Sequence, residues 1–298
     1  MWQMPSSTTA GLRARRLLPL VLLGLSACFL RPTLTESFGF RPRPMQSNRA
    51  FPAQWGWPTA TLDTVARTDS AGSLLAWWGP AATTSTACAG VLLLHGKGKN
   101  RAEMMPLGRA LQRAGFSVLL PDYRGYGGVE GTPTTAGMFS DAALSYRRLR
   151  EKLGDSVIPI VVIGHSMGTA LAARVAREYE PAATIYLSPF DRISTLVRAR
   201  AGAAGPRLFD TTRFAFNPVD DAAAVRGRQM VVVAGRDLLI RTSVSDAFIA
   251  GLSPRPSVLR DPTASHDGVL ESPATVRAVT DSVRAWTRCA SSRDAGGS

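Results

Sequence analysis

From residue 60 onward, short apolar runs and helix-length segments take turns along the chain. Six runs are continuous enough to be buried: GVLLLH (90–95), SVLLPD (117–122), IPIVVIG (158–164), ATIYLS (183–188), QMVVVAG (229–235) and SVLRD (257–261). Between them lie segments of helical length at about 102–114, 138–153, 167–179, 191–203 and 242–252, with a last helix near 272–290. A crossover helix returns the chain to the same end of the sheet, so strands that alternate with helices run parallel. A parallel sheet is covered on both faces, and its strands read as unbroken Val/Ile/Leu runs rather than as polar–apolar alternation. The pattern predicts an α/β fold. Ahead of it, TLDTVART (61–68) and SLLAWWG (73–79) flank the turn DSAG. That pair predicts a β-hairpin, adding antiparallel strands at one edge of the sheet.

The first sixty residues do not follow this pattern. Arg13, Arg15 and Arg16 precede LLPLVLLGLSA, an apolar run too short to span a bilayer and interrupted by Pro19. A basic region followed by a short hydrophobic one is the layout of a secretory signal. The next residues, LSAC (25–28), resemble the bacterial lipobox, in which cleavage precedes a cysteine that receives a diacylglyceryl group. The expected organisation is a lipoprotein-type signal at 1–27, with Cys28 as the lipidated residue. A Pro- and Arg-rich tether follows at 28–58, then one domain at 59–290 and a disordered tail at 291–298. Phe51, Trp55 and Trp57, late in the tether, are candidates for docking on the domain. A plain cleaved signal and an uncleaved anchor are the alternatives; all three place the protein in or beyond the bacterial cell envelope.

Composition changes this picture little. With 45% hydrophobic residues, the 298-residue chain can bury a sizeable core. The formal charge of +13 comes almost wholly from scattered arginines, with no basic helix face and no interleaved aromatics, which argues against a nucleic-acid partner. If Cys28 carries lipid, Cys88 and Cys289 remain. In an oxidising compartment they either pair or stay as two small buried hydrophobes. Cys88 precedes a central strand, at the sheet end away from the strand-end loops, and the last helix runs back toward that same end.

In an open α/β sheet, sites form beyond the carboxyl ends of the strands. HGKGKN, DYRGYGG, GHSMG, SPFD, GRDLLI and SHDG occupy those ends, and they hold all three histidines of the chain. GHSMG (164–168) fits the G-x-S-x-G turn that joins a buried strand to a helix and thrusts its serine out of the sheet. Ser166 is the candidate nucleophile. A serine hydroxyl needs a base, and His266 is the only histidine downstream of it. Asp237, just past a strand, is the candidate acid that orients the imidazole, with Asp191 as the alternative. Candidate oxyanion donors are the backbone N–H groups of Met167 and Lys97. His165 is expected to point away as packing, and His95 to shape the oxyanion loop.

With HGKGKN, PDYRGYGGVEGTP, GHSMG, GRD and SHD in this order, the chain from about 60 to 290 resembles an α/β-hydrolase. The segment around DYRGYG is similar to the small-lid branch of α/β-hydrolase-domain proteins, some of them depalmitoylases, and of bacterial serine aminopeptidase-like hydrolases. Val129 stands where those relatives commonly have a small serine. The resemblance implies a serine hydrolase that needs no metal or organic cofactor and acts on an acyl ester or thioester. It also implies a small lid at 191–226, where Leu196, Leu208, Phe209, Phe214 and Phe216 either line an acyl groove or pack as core. An aminopeptidase-like amide hydrolase, a non-catalytic hydrolase-fold binding protein and a cofactor-free haloperoxidase-like activity are the alternatives.

Overall fold

Eight strands form one sheet in the order β1-β2-β4-β3-β5-β6-β7-β8. They are β1 (Thr61–Ala66), β2 (Ser73–Gly79), β3 (Gly90–Leu94) and β4 (Ser117–Pro121). The other four are β5 (Ile160–His165), β6 (Ala183–Leu187), β7 (Arg228–Ala234) and β8 (Ser257–Asp261). The β1–β2 and β2–β4 pairs are antiparallel and all the others parallel, so the hairpin does form one edge of a mostly parallel sheet. The computed structural model describes residues 40, 42, 45, 50–67, 72–81, 88–154, 157–202 and 215–289. The signal segment with Cys28, the lid residues Leu208, Phe209 and Phe214, and the tail lie outside these residues.

Successive residues of the inner strands serve opposite faces, as the pleat requires. Leu92, Leu119, Val162, Tyr186 and Val231 pack on one face, against α2 (Thr135–Leu153), α3 (Gly168–Tyr179) and α6 (Thr242–Ala250). Val91, Val118, Val161, Ile185 and Val232 pack on the other, against α1 (Met105–Arg113) and α7 (Pro273–Thr287). Two shorter helices, α4 (Ile193–Ala201) and α5 (Pro218–Ala222), belong to the connection between β6 and β7.

Helix boundaries depart from the apolar pattern where capping chemistry intervenes. The segment expected at 138–153 begins at Thr135, because the Thr134 hydroxyl accepts from Gly137 N–H at 3.1 Å and so starts the helix a turn early. The segment expected at 102–114 divides into a 3₁₀ turn, Arg101–Met104, and α1, with Pro106 in the first turn of the latter.

The N-terminal boundary at 59 falls inside packed structure. Trp57 is buried and its indole N–H donates to Gln112 Oε1 at 2.6 Å. The Trp55 ring lies 6.2 Å from Trp77, whereas Phe51 stays exposed and does not dock as expected. Phe40, well within the expected tether, is fully buried.

Cys88 and Cys289 form a disulfide with their Cα atoms 5.6 Å apart. The bridge ties the entry of β3 to the exit of α7 across 201 residues. Closing so long a loop restricts the unfolded chain, which stabilises the fold by at most about 4–5 kcal/mol on the chain-entropy account. Cys289→Ser is expected to lower the denaturant midpoint measured without reductant. An unchanged midpoint would mean that the bridge contributes nothing.

Candidate active site

The turn at Ser166 is built by its two glycines. A Cβ on Gly164 would lie 2.2 Å from the Gly168 carbonyl oxygen, and one on Gly168 would lie 2.1 Å from that of Leu94. Both distances are far inside contact, so only glycine lets β5, β3 and the start of α3 approach this closely. Ser166 itself takes φ 53°, in the left-handed region, at a cost on the order of 1 kcal/mol. The strain is held in place by backbone bonds: Ser166 N–H donates to Leu187 O at 2.9 Å, and Ser166 O accepts from Thr169 N–H at 3.0 Å.

The loop after β8 brings His266 to Asp237 across the carboxyl end of β7. His266 Nδ1 and Asp237 Oδ2 are 2.7 Å apart, with both side chains nearly buried. The other carboxylate oxygen, Oδ1, accepts from the N–H groups of Leu239 at 2.8 Å and Ile240 at 2.7 Å. Burial works against the Asp237 charge, but the His266 hydrogen bond and these two amides outweigh it and hold the carboxyl below its ordinary range. The acid therefore stays ionised and acceptor-only, which fixes the proton on His266 Nδ1 and leaves Nε2 as the basic nitrogen.

Asp191 sits elsewhere and does something else. Its Oδ2 accepts from the Thr195 hydroxyl at 2.9 Å, and its backbone carbonyl accepts from Val219 N–H. Asp191 does not cap the next helix either: the N-cap of α4 is Arg192, with no side-chain capping bond. The Arg192 carbonyl, one residue later than expected, already begins the helix.

Met167 lies at the N-terminus of α3 and is buried beside Ser166. The loop after β3 crosses the same point, since a Cβ on Gly96 would lie 3.2 Å from Ser166 Cβ. Gly96 N–H is committed to Glu103 Oε2 at 3.0 Å, which leaves Lys97 N–H as the candidate donor from this loop. Lys99 pairs with Asp267 at 2.7 Å on the surface.

The expected acyl-groove residues divide. Phe216 is fully buried and packs edge-on against Phe40 and Phe139, so it belongs to the core rather than to a groove. Leu196 is partly buried against the same core. Val129 is also buried and closes a tight turn through Val129 N–H to Tyr126 O at 2.8 Å.

Glu103, Asp122 and Arg101 carry much of the site's internal support; Glu103 and Arg101 have no motif to mark them, and Asp122 opens DYRGYGG without any sign of its partners. Asp122 accepts from Arg101 through both backbone and side chain and faces His95 Nε2 at 3.2 Å. His95 donates from Nδ1 to the Gly96 carbonyl at 2.8 Å, so the oxyanion loop hangs on a buried ionic group. Glu103 does more, because it joins three loops. One oxygen holds Gly96 N–H, and the other faces His165 Nδ1 at 3.4 Å. From its other nitrogen, His165 donates to the His266 carbonyl at 2.9 Å. His165 is therefore not passive packing; it connects the nucleophile turn, the oxyanion loop and the histidine loop.

Burial favours protonated Glu103, but the adjacent His165 outweighs it and holds the carboxyl down at about 2. Burial likewise disfavours charge on His165, and Glu103 reverses this, raising the imidazole above its ordinary value. The Glu103 share of stability is complete above its unfolded value of 4.5 and is lost as pH falls toward about 2. The His165 share is complete below 6.5 and is lost as pH rises through its raised folded value. Glu103→Gln should therefore cost most between these limits, on the order of 2–3 kcal/mol, and less at pH 3 or pH 9. Urea midpoints of both proteins at the three pH values would check this. A wild-type–variant gap that does not vary with pH would remove the ion pair from the account.

Comparisons with known proteins bear on the fold. A family described as serine aminopeptidase, S33, matches residues 85–211. A Pyrococcus furiosus esterase, Pf2001, superposes with a TM-score of 0.66 over 83% of this chain and 98% of its own, at 19% identity. The chain shares the α/β fold of that esterase. A second solved α/β-hydrolase, a lidless serine hydrolase of Xanthomonas campestris, aligns with a TM-score of 0.56 at 16% identity over 78% of this chain and 94% of its own. Among curated relatives, an uncharacterized Mycobacterium tuberculosis protein is 29% identical over 64% of this chain and 67% of itself. The lysophosphatidylserine lipase ABHD12 of Danio rerio is 36% identical over 110 residues, which are 35% of this chain and 28% of the lipase.

Proposed function

We propose that this chain is an α/β-hydrolase that cleaves carboxylic esters or thioesters through an acyl-enzyme, with Ser166 as nucleophile, His266 as base and Asp237 as its orienting acid. The observation that carries the reading is the 2.7 Å His266–Asp237 pair on the loops that flank a serine held at φ 53°. The esterase and lipase named among the relatives support the substrate class.

In this mechanism His266 Nε2 takes the proton as Ser166 Oγ attacks the acyl carbon. The carbonyl oxygen becomes an oxyanion, met by the N–H groups of Met167 and Lys97, with the N-terminus of α3 adding its positive end. Collapse expels the alcohol or thiol, which takes the proton from His266. Water then repeats the sequence on the acyl-enzyme, releasing the acid and restoring Ser166. Asp237 remains ionised throughout and stabilises the imidazolium that forms in each half.

A second reading, amide cleavage at a peptide amine terminus, is favoured by the aminopeptidase description of the matching family. A panel of p-nitrophenyl esters and acyl thioesters of increasing chain length, run beside aminoacyl p-nitroanilides, separates the two. The ester reading requires kcat/KM for the best ester to exceed that for every anilide. The reverse ranking would favour the peptidase, and no turnover of any substrate would favour a binding protein.

The proposal includes attachment to the cell-envelope membrane through lipid on Cys28, supported by the LSAC sequence after a short apolar run. Among the described residues, no helix is long and apolar enough to cross a membrane. Mass spectrometry of the mature N-terminus is expected to find a diacylglyceryl-modified Cys28. Any other N-terminus would reject the lipobox.

A further inference from the structure

The loop after β7 places two leucines in water beside the candidate active site. Leu238 is 93% exposed and Leu239 48%, the most exposed pair of adjacent large hydrophobic residues among those described. Leaving Leu238 so bare forgoes the stabilisation that burying a leucine side chain brings. The shape is fixed from within: Asp237 Oδ1 holds the N–H groups of Leu239 and Ile240, and Ile240 is buried as the anchor. Exposed arginines, Arg236 and Arg241, flank the leucines, and neither has an ion-pair partner among the described residues. The charged neighbours at this end differ in that respect, for Lys99 pairs with Asp267, Arg192 with Asp220 and Arg260 with Asp246.

A second observation concerns the N-terminal segment. Phe40 is buried against Phe216, and its carbonyl accepts from the Tyr126 hydroxyl at 2.6 Å. Tyr126 lies in the loop after β4, with its ring 5.3 Å from that of His95 at the carboxyl end of β3. The segment that leads back toward Cys28 is therefore fastened at the active-site end of the sheet. Phe40 lies twelve positions after Cys28, a reach of at most about 43 Å even when fully extended.

We infer that Arg236–Arg241 is a bilayer-docking tip: Leu238 and Leu239 enter the surface of an anionic membrane, Arg236 and Arg241 bind its phosphate groups, and the active-site mouth faces the lipid. Leucine bodies below the headgroups with arginines at headgroup level is the division of labour of interfacial protein segments. Each arginine near an anionic surface strengthens attachment about fivefold, and the effect is screened by salt. The occupant is a phospholipid surface rather than a protein because exposed arginines bracket the exposed leucines and the segment leading back toward Cys28 is fastened at this same end of the sheet. On the hydrolase reading, the acyl group reaches Ser166 from the membrane plane. The docking itself does not depend on that reading.

The test uses the full chain with Leu238→Trp, a change that displaces no packed neighbour, and vesicles of phosphatidylcholine with or without phosphatidylglycerol, their acyl chains brominated near the headgroup. Wild-type emission, from the six native tryptophans, is subtracted. The added tryptophan is expected to lose at least half its emission on anionic brominated vesicles and to become inaccessible to acrylamide. Arg236→Gln with Arg241→Gln should weaken this quenching about 20-fold in lipid concentration. Because the probe reports on position 238, attachment through the N-terminal segment alone cannot imitate the result. An added tryptophan that stays unquenched by bromine and open to acrylamide on membrane-bound protein would overturn the inference, whether or not the protein hydrolyses esters.

Discussion

Ser166→Ala and His266→Ala are each expected to reduce ester turnover by about 10⁶-fold, and the double variant by little more. In the proposed mechanism the two side chains act on one proton: without the base the hydroxyl is a poor nucleophile, and without the hydroxyl the base has nothing to deprotonate. Non-additivity is thus the signature, and kcat for both singles and the double measures it directly. Losses that multiply would mean that the residues act in separate steps. Ser166→Ala should fold normally, since alanine removes one oxygen and leaves the backbone bonds of the turn untouched. His266→Ala removes a nearly buried ring, but it keeps the backbone carbonyl that His165 holds, so its fold should also survive.

Asp237→Asn carries the next largest expected effect, a loss of about 10⁴-fold with the fold intact. Asparagine preserves the shape of the carboxylate but can present an N–H where Oδ2 now accepts from His266 Nδ1 at 2.7 Å. The imidazole then favours the tautomer with its proton on Nε2, the nitrogen that must be free to receive one from Ser166. Asp191→Asn makes a useful contrast. Its carboxylate contacts Thr195, and no contact joins it to His266 among the described residues, so it should cost under about 1 kcal/mol in stability and little in rate. Reversal of this ranking in kcat would make Asp191 the acid and leave the observed His266–Asp237 pair without its assigned role.

Much of this architecture was legible in the sequence for identifiable reasons. The inner strands are runs of Val, Ile and Leu because helices cover both their faces, so their burial is written as an unbroken apolar stretch. GHSMG is legible because a close approach of three backbones admits only glycine at 164 and 168, which leaves a fixed spacing around Ser166. The pairing of His266 with Asp237 follows from where strands end. Glu103 was not legible. It sits in a helix-length segment as one acidic residue among many, and its role exists only because the fold places Gly96 and His165 beside it. Asp122 lay at a visible strand end, yet nothing local announced its bond to Arg101. Phe40 and Phe216 show the same limit, since each looks like a loop aromatic until the other is packed against it. The start of α2 was misplaced because the apolar period begins later than the Thr134 cap.

The central claim is that Ser166 is an activated nucleophile, and covalent labelling tests it without assuming a substrate. Fluorophosphonate, which phosphorylates an activated serine and loses fluoride, should add one phosphonyl group per chain, mapped by mass spectrometry to the peptide containing Ser166. Labelling should vanish in Ser166→Ala and slow by several orders of magnitude in His266→Ala. A folded wild-type protein that takes no label, or takes it at another residue, would contradict the account.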